Sequence, residues 1–158
     1  MRGFAGISKL PAKTIVVDAA ETAHRMELPL RILVADDHTA VRRGVCTLLS
    51  SRNDLEVCGE AQDGKEAIEK TRELEPDLII LDITMPVLDG FSAVREIRKF
   101  MPDVPILVLS MHRGKRAIQE AKLLGTQGFV SKSHLAATLL RAVDAIVRKQ
   151  TFFEGDEV

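Results

Sequence analysis

From residue 31 onward, short apolar runs alternate with longer amphipathic stretches, and this alternation limits the possible fold more than any other feature of the sequence. It is typical of repeated β-α units around a parallel sheet. Five units fit, with strands predicted at Ile32–Ala35, Leu55–Cys58, Leu78–Leu81, Ile106–Leu109 and Gly128–Val130. Helices are predicted at Thr39–Ser50, Lys65–Leu74, Gly90–Lys99, Arg113–Leu124 and Leu135–Lys149, where apolar residues recur at spacings of three and four. The pattern predicts an α/β fold.

The chain of 158 residues is long enough for one domain and short for two. We expect residues 29–150 to form that domain and residues 151–158 to be a C-terminal tail. Residues 1–28 show no matching β-α unit and are expected to be an N-terminal extension. A translation start at Met26 rather than Met1 stays open.

Composition narrows the range of partners and compartments. The formal net charge is −1, so the chain as a whole has no long-range attraction to nucleic acid or to an anionic membrane. No apolar run approaches the about 20 residues that a membrane-spanning helix requires. Cys46 and Cys58 fall in a predicted helix and a predicted strand, which favours buried free thiols over a disulfide. These features predict a cytoplasmic protein that binds no membrane.

Polar side chains follow four of the five predicted strands. Asp36 and Asp37 follow the first strand, Asp82 the third, Ser110 the fourth and Lys132 the fifth. In an open parallel sheet these carboxyl ends form the ligand-binding rim, so we expect the five side chains to converge. Crowded carboxylates repel one another, and hard oxygen ligands suit Mg²⁺. The sequence therefore predicts a magnesium site that pairs with phosphate.

Each of these residues has an ordinary structural explanation when it is taken alone. Asp37 or Ser110 can cap a helix, Lys132 can be a solvated surface residue, and Asp82 can be a turn residue before Pro86. The joint pattern favours a functional site, because the acids, the hydroxyl and the lysine all fall at the same edge of the predicted sheet.

From Arg31 to about Lys149 the sequence resembles the receiver domains of two-component response regulators. The motifs that carry the resemblance are LVADDH, LDITMPVLDG, LVLSM and GTQGFVSK, in that order. The residues of these motifs are most similar to those of the receivers that precede LuxR-type helix-turn-helix domains. The resemblance implies a flavodoxin-like (βα)5 fold, a doubly wound parallel sheet with strand order 2-1-3-4-5.

The resemblance also implies a role for each acidic residue. Asp82 would be the phosphoacceptor, taking a phosphoryl group from a sensor histidine kinase. Asp37, Asp82 and the main-chain carbonyl of Thr84 would bind Mg²⁺ directly, and Asp36 would bind it through a water molecule. The protein would be a phosphoacceptor, with self-catalysed phosphotransfer and dephosphorylation at most, rather than an enzyme with a separate substrate.

The remaining motif residues would contact the phosphoryl group or change conformation in response to it. Lys132 would pair with one phosphoryl oxygen and Ser110 would donate a hydrogen bond to another. Phe129 occupies the position of the switch aromatic residue. We expect an output surface on the fourth helix, fifth strand and fifth helix, because Ser110 and Lys132 flank this face. It would contact a second copy or a downstream protein. His38, His112 and His134 lie in three loops without metal-ligand spacing, and no role is predicted for them.

Three alternative functions share features with this sequence. A receiver fragment of a LuxR-type DNA-binding regulator stays open; its effector domain needs about 60 further residues, so this chain alone is not expected to bind nucleic acid. A haloacid-dehalogenase-like phosphatase expects a second Asp two residues after the nucleophile, where Thr84 stands. A flavin mononucleotide binder needs a phosphate loop after the first strand, where Asp36 and Asp37 would repel phosphate.

Overall fold

The computed structural model describes residues 28–111 and 114–155. The predicted N-terminal extension therefore lies outside the described residues except for Leu28. His112 and Arg113, at the predicted start of the fourth helix, lie outside them as well.

Six parallel strands form one sheet in the order β2-β1-β3-β4-β5-β6. The strands are β1 Leu30–Ala35, β2 Leu55–Ala61, β3 Leu78–Asp82, β4 Ile106–Ser110, β5 Gly128–Ser131 and β6 Phe152–Phe153. The helices are α1 Thr39–Ser50, α2 Gly64–Leu74, α3 Gly90–Phe100, α4 Lys115–Leu123 and α5 Leu135–Val147, and a short 3-10 helix, Lys132–His134, links β5 to α5. The predicted fold and the order of the first five strands are confirmed.

The sheet is covered on both faces because its central strands are apolar along nearly their whole length. One buried cluster joins alternate strand residues such as Leu33 and Ile79 to α2, α3 and α4. The other joins the intervening residues, such as Ile32 and Ile80, to α1 and α5. This three-layer arrangement leaves the carboxyl ends of the strands as a polar rim above the core.

Most elements begin or end one or two residues from their predicted bounds, and three differences change the path of the chain. β2 continues to Ala61 rather than Cys58, and the register with β1 shifts near Cys58, as in a β-bulge. α5 ends at Val147, and the chain turns at Lys149, which has a φ of 65°. The tail contributes an unpredicted strand, β6, which pairs with β5.

Cys46 and Cys58 lie in α1 and β2 as predicted and are free thiols. The prediction that they are buried is wrong, because both side chains are only half-buried. Burial, assisted by the charge of Glu60, nevertheless raises the pKa of Cys46 to about 11. Among the described residues, no helix is long and apolar enough to cross a membrane.

Two Asp-Gly pairs begin helices. Asp63 accepts a hydrogen bond from the Glu66 N–H and so caps α2, and Asp89 accepts one from the Ser92 N–H and so caps α3. Gly90 is required by a close approach as well. A Cβ at this position would lie 2.6 Å from the Cα of Ile83 and closer still to the Asp82 carbonyl oxygen. Gly90 thus lets α3 begin directly beside the end of β3.

We predict that Gly90→Ala lowers the free energy of unfolding by about 1–3 kcal/mol, because α3 must move away from β3. Gly44→Ala is the matched control: Gly44 lies within α1, and a Cβ there meets nothing within 4 Å. The control should raise the free energy of unfolding by about 0.5–1 kcal/mol. Urea unfolding of both variants measures this. Equal effects in the two variants would contradict the close approach at Gly90.

Candidate functional site

Asp36 begins the site, one residue beyond the end of β1. Its N–H donates to the Ala61 carbonyl at 3.0 Å, and its carbonyl accepts a hydrogen bond from Arg42 Nη1 at 2.7 Å. Arg42 also pairs with Glu60 at the end of β2. Both backbone groups of Asp36 are therefore fixed, and its side chain is fully buried.

Asp82 is the last residue of β3, next to β1 in the sheet, and is 1% exposed. Its Oδ1 accepts a hydrogen bond from the Thr84 N–H at 3.1 Å. The following residue is tied to both neighbouring elements, because the Ile83 N–H donates to the Leu109 carbonyl and the Ile83 carbonyl accepts from the Gly90 N–H. The carboxylate thus ends a rigid apolar strand.

Lys132 joins these two carboxylates. It follows β5, and its side chain is only 2% exposed. The Nζ atom lies 2.8 Å from Asp36 Oδ2 and 3.0 Å from Asp82 Oδ2. A buried ammonium is costly unless it is paired, and here one cation contacts two acids from different strands. The ordinary explanation of Lys132 as a solvated surface residue is wrong.

The site carries more negative charge than Lys132 can neutralise. Asp36, Asp37, His38 and Asp82 each offer one ligand atom, and these atoms lie within 4.8 Å of one another. Asp36 Oδ2 and Asp82 Oδ2 share the Lys132 ammonium. The buried Asp37 Oδ1 accepts no hydrogen bond from the described part of the chain. Three carboxylates against one ammonium leave two uncompensated negative charges. Oxygen ligands with this charge fit a hard divalent cation.

The pKa of the Asp82 carboxyl is raised above its ordinary value. Burial is the largest cause, and the nearby charge of Asp36 acts in the same direction. The Lys132 ammonium and the Thr84 N–H oppose the shift. A cation at the site would favour the ionised carboxylate that a nucleophile requires.

Ser110 and Phe129 lie near the same rim on adjacent strands. Ser110 is the last residue of β4 and is 1% exposed; it is paired in register with Ser131 of β5, the residue before Lys132. Phe129 is 1% exposed and belongs to the cluster that packs under α2, α3 and α4. Both are enclosed in the resting fold, so a role in switching requires that their surroundings rearrange.

The family model for the response regulator receiver domain matches residues 32–144. The chain belongs to this family. The sequence resemblance is therefore confirmed over the region that contains the whole acidic cluster and Lys132.

Curated relatives of this receiver domain are themselves regulators. The chain is 32% identical to the response regulator protein VraR of Staphylococcus saprophyticus over 82% of this chain and 62% of the relative. It is 38% identical to the transcriptional regulatory protein LnrK of Bacillus subtilis over 72% of this chain and 52% of the relative. The chain thus spans between half and two thirds of the length of these two relatives.

Solved structures of receivers show the same fold. A two-component response regulator of the LuxR family from Aurantimonas sp. superposes with a TM-score of 0.77 at 35% identity, covering 81% of this chain and 91% of that one. The signal receiver domain of the response regulator NarL from Mycobacterium tuberculosis gives 0.73 at 30% identity, covering 78% and 99%. The flavodoxin-like topology is thereby confirmed.

The receiver fold brings Asp36, Asp37, Asp82 and Lys132 to one rim, as the sequence predicted. Thr84 is exposed and offers its N–H to Asp82; a role for its carbonyl as a metal ligand remains a prediction. The specific chemical role of each of these residues likewise remains a prediction.

Two histidines for which the sequence predicted no role make contacts at or near the site. His38 lies in the acidic cluster, with Nδ1 3.2 Å from Asp36 Oδ1 and 3.3 Å from Asp37 Oδ1. Its position directly after the two acids was the available signal. His134 pairs with Glu154, which the sequence analysis placed in a tail. The sequence carried no signal for that contact, because the two residues are 20 positions apart.

The loop after Asp82 holds a strained residue. Val87 has a φ of 68°, which is rare for a β-branched side chain, and the Leu88 N–H donates to the Pro86 carbonyl across it at 2.7 Å. Strain of this kind costs about 1–3 kcal/mol and concentrates at functional sites. The loop beside Asp82 is therefore held in a conformation that local preferences disfavour.

We predict that Asp82→Asn raises the free energy of unfolding at pH 7 in the absence of divalent cations. The raised pKa of Asp82 means that ionisation costs more in the folded than in the unfolded chain, so wild-type stability falls as the pH rises through that range. The amide has no such cost. The gain from the substitution should vanish when the pH falls below the ordinary carboxyl pKa, where Asp82 is protonated in both states.

Asp89→Asn is the matched control. It keeps the cap on α3 and removes an exposed charge, so it should change stability by no more than about 0.5 kcal/mol. Chemical unfolding as a function of pH measures both variants. A lower stability of Asp82→Asn than of wild type at pH 7 would contradict the excess of buried negative charge.

Proposed function

We propose that this receiver accepts, in the cytoplasm, a phosphoryl group from a sensor histidine kinase on Asp82, in a Mg²⁺-dependent reaction, and thereby changes a protein-binding surface. The observation that supports the proposal most directly is the position of the Lys132 ammonium, 2.8 and 3.0 Å from the carboxylates of Asp36 and Asp82. This arrangement offers a nucleophile and a cation to a single phosphoryl group.

In the proposed step, a carboxylate oxygen of Asp82 attacks phosphorus. A bond forms between that oxygen and phosphorus, and the bond from phosphorus to the imidazole nitrogen of the donor phosphohistidine breaks. The electron pair of the broken bond returns to the imidazole nitrogen. Asp82 then carries an acyl phosphate. Water can hydrolyse it to the free carboxylate and inorganic phosphate, which would end the signal.

The protein contributes mainly position and charge to this step. Lys132 would exchange its contact with Asp82 for one with a phosphoryl oxygen, and the Ser110 hydroxyl would donate to another. Asp37, Asp82 and the Thr84 carbonyl would hold Mg²⁺, with Asp36 acting through water. Bound Mg²⁺ would neutralise the charge that develops on the phosphoryl oxygens. Two observations support this assignment: the buried Asp37 Oδ1 accepts no hydrogen bond among the described residues, and Asp36 and Asp82 share a single ammonium.

We place the output surface on α4, β5 and α5. The movement of Ser110 toward the phosphoryl group would shift the following residue, Met111, which is 62% exposed. α4 also has an exposed apolar residue, Leu123, 87% exposed, at its C-terminal end. An exposed apolar side chain next to a segment that moves suits a docking surface for a second copy or a downstream protein.

The prediction is that acetyl phosphate or phosphoramidate, with Mg²⁺, adds one phosphoryl group to the chain, and that the modified peptide contains Asp82. Chelation of the metal should suppress uptake, because the crowded carboxylates then repel the donor. Intact-mass analysis and peptide mapping measure both effects.

Asp82→Asn should take up no phosphoryl group, because the amide is not a nucleophile. Asp89 is a neighbouring exposed acid, and the variant Asp89→Asn should react like wild type. If Asp82→Asn is labelled as readily as wild type, the assignment of the phosphoacceptor fails.

A second candidate function is that of the receiver part of a LuxR-type DNA-binding regulator. The observation that favours it is the nature of the relatives: one is named a transcriptional regulatory protein, and a solved neighbour belongs to the LuxR family. The sequence of the reading frame downstream of Val158 discriminates between the two candidates. A helix-turn-helix domain encoded there would favour the second.

A further inference from the structure

A buried carboxylate from the C-terminal segment closes over the turn that carries Lys132. Glu154 follows β6 and is 7% exposed. Its Oε2 accepts a hydrogen bond from the Ser131 N–H at 2.9 Å, and its Oε1 lies 2.7 Å from His134 Nδ1. These two contacts lie on either side of Lys132 in the chain. Glu154 therefore spans the short 3-10 helix from one end to the other.

The strand β6 fixes Glu154 in this position. The Glu154 N–H donates to the Phe129 carbonyl at 2.8 Å, and the Phe152 N–H donates to the Gln127 carbonyl at 3.0 Å. Cations from the flanking helices lie over the two rings, Lys122 of α4 over Phe153 and Arg141 of α5 over Phe152. The backbone around Glu154 is thus held by the sheet and by both helices.

The energetics favour retention of the Glu154 contacts. A buried carboxylate without hydrogen bonds costs several kcal/mol, whereas one that accepts from an N–H and pairs with an imidazole is stabilised. The 3-10 helix has only three residues, and within the turn the Ser131 hydroxyl oxygen accepts a hydrogen bond from the Ser133 N–H at 3.2 Å. Glu154 adds a restraint from outside the turn on the backbone from which the Lys132 side chain extends.

We propose that Glu154 is a positioning residue for Lys132: it clamps Ser131 and His134 and so directs the Lys132 ammonium toward Asp36 and Asp82. The inference rests on the proposed role of Lys132 in phosphoryl uptake. Glu154 contacts the backbone and the neighbour of Lys132 rather than the reacting atoms, so its effect on the reaction passes through Lys132. The C-terminal segment is then part of the site and not a tail.

The test is the rate of phosphoryl uptake by the 158-residue chain from phosphoramidate with Mg²⁺, followed by intact mass below the melting midpoint of every variant. Glu154→Ala should slow uptake about tenfold, since small displacements of a catalytic group can cost up to about a hundredfold. Glu154→Gln keeps an acceptor for the Ser131 N–H and should recover most of the rate.

Asp144→Ala is the matched control. Asp144 is an acid of α5 whose ion pair with Arg52 joins two elements away from Lys132. Its loss should lower stability and leave the rate of uptake unchanged. His134→Ala removes the imidazole contact of Glu154 and leaves its hydrogen bond from the Ser131 N–H, so it should slow uptake by a smaller factor than Glu154→Ala. This variant keeps the proposal testable if Glu154→Ala does not fold.

The double variant Lys132→Ala/Glu154→Ala separates positioning from a general structural effect. If Glu154 acts through Lys132, the double variant should react no more slowly than Lys132→Ala alone. A further slowing equal to that of Glu154→Ala in wild type would overturn the proposal. If Lys132→Ala itself reacts like wild type, the proposed function of Lys132 fails. If Lys132→Ala is slow while Glu154→Ala and His134→Ala react like wild type, only the positioning role fails.

Discussion

The structure depends on one buried ammonium that faces two buried carboxylates. Lys132 extends from the end of β5, and its partners stand at the ends of β3 and β1, which lie two and three strands away in the sheet. Adjacent strands are about 4.8 Å apart, so only a long side chain at this register reaches both acids. The contact therefore requires that three strands end at the same level, and the parallel register provides this.

The charges at this contact also explain why the site lowers the free energy of unfolding. Two acids share one cation and a third acid stands beside them, so the site keeps an excess of negative charge in a partly dry environment. The loop after Asp82 adds a strained Val87. Natural sequences break local rules of stability mostly where function requires it. A pocket with an excess of negative charge is suited to bind a metal ion, and a bound metal ion can in turn contact a phosphoryl group.

Much of this could be predicted from the sequence, because the signals are local. Apolar runs and helical periodicity predicted the five β-α units. The acids and Lys132 could be placed at the sheet edge because each stands at or just after the end of an apolar run. β6 could not be predicted, since two phenylalanines carry no periodicity and the strand exists only by pairing with β5. The same holds for Glu154, whose partners lie 20 and 23 residues away. The shift in register between β1 and β2 at Cys58 likewise has no signal in the sequence pattern.

The most direct test of the central claim is a crystal structure of the chain with Mg²⁺ and beryllium trifluoride, a phosphoryl analogue. The account predicts the analogue on Asp82, with one fluorine within hydrogen-bonding distance of Lys132 Nζ and the metal between Asp37, Asp82 and the Thr84 carbonyl. Lys132 should have exchanged Asp82 for the analogue while its backbone stays in place. An analogue bound elsewhere, or a Lys132 side chain turned out to solvent in the complex, would contradict the account.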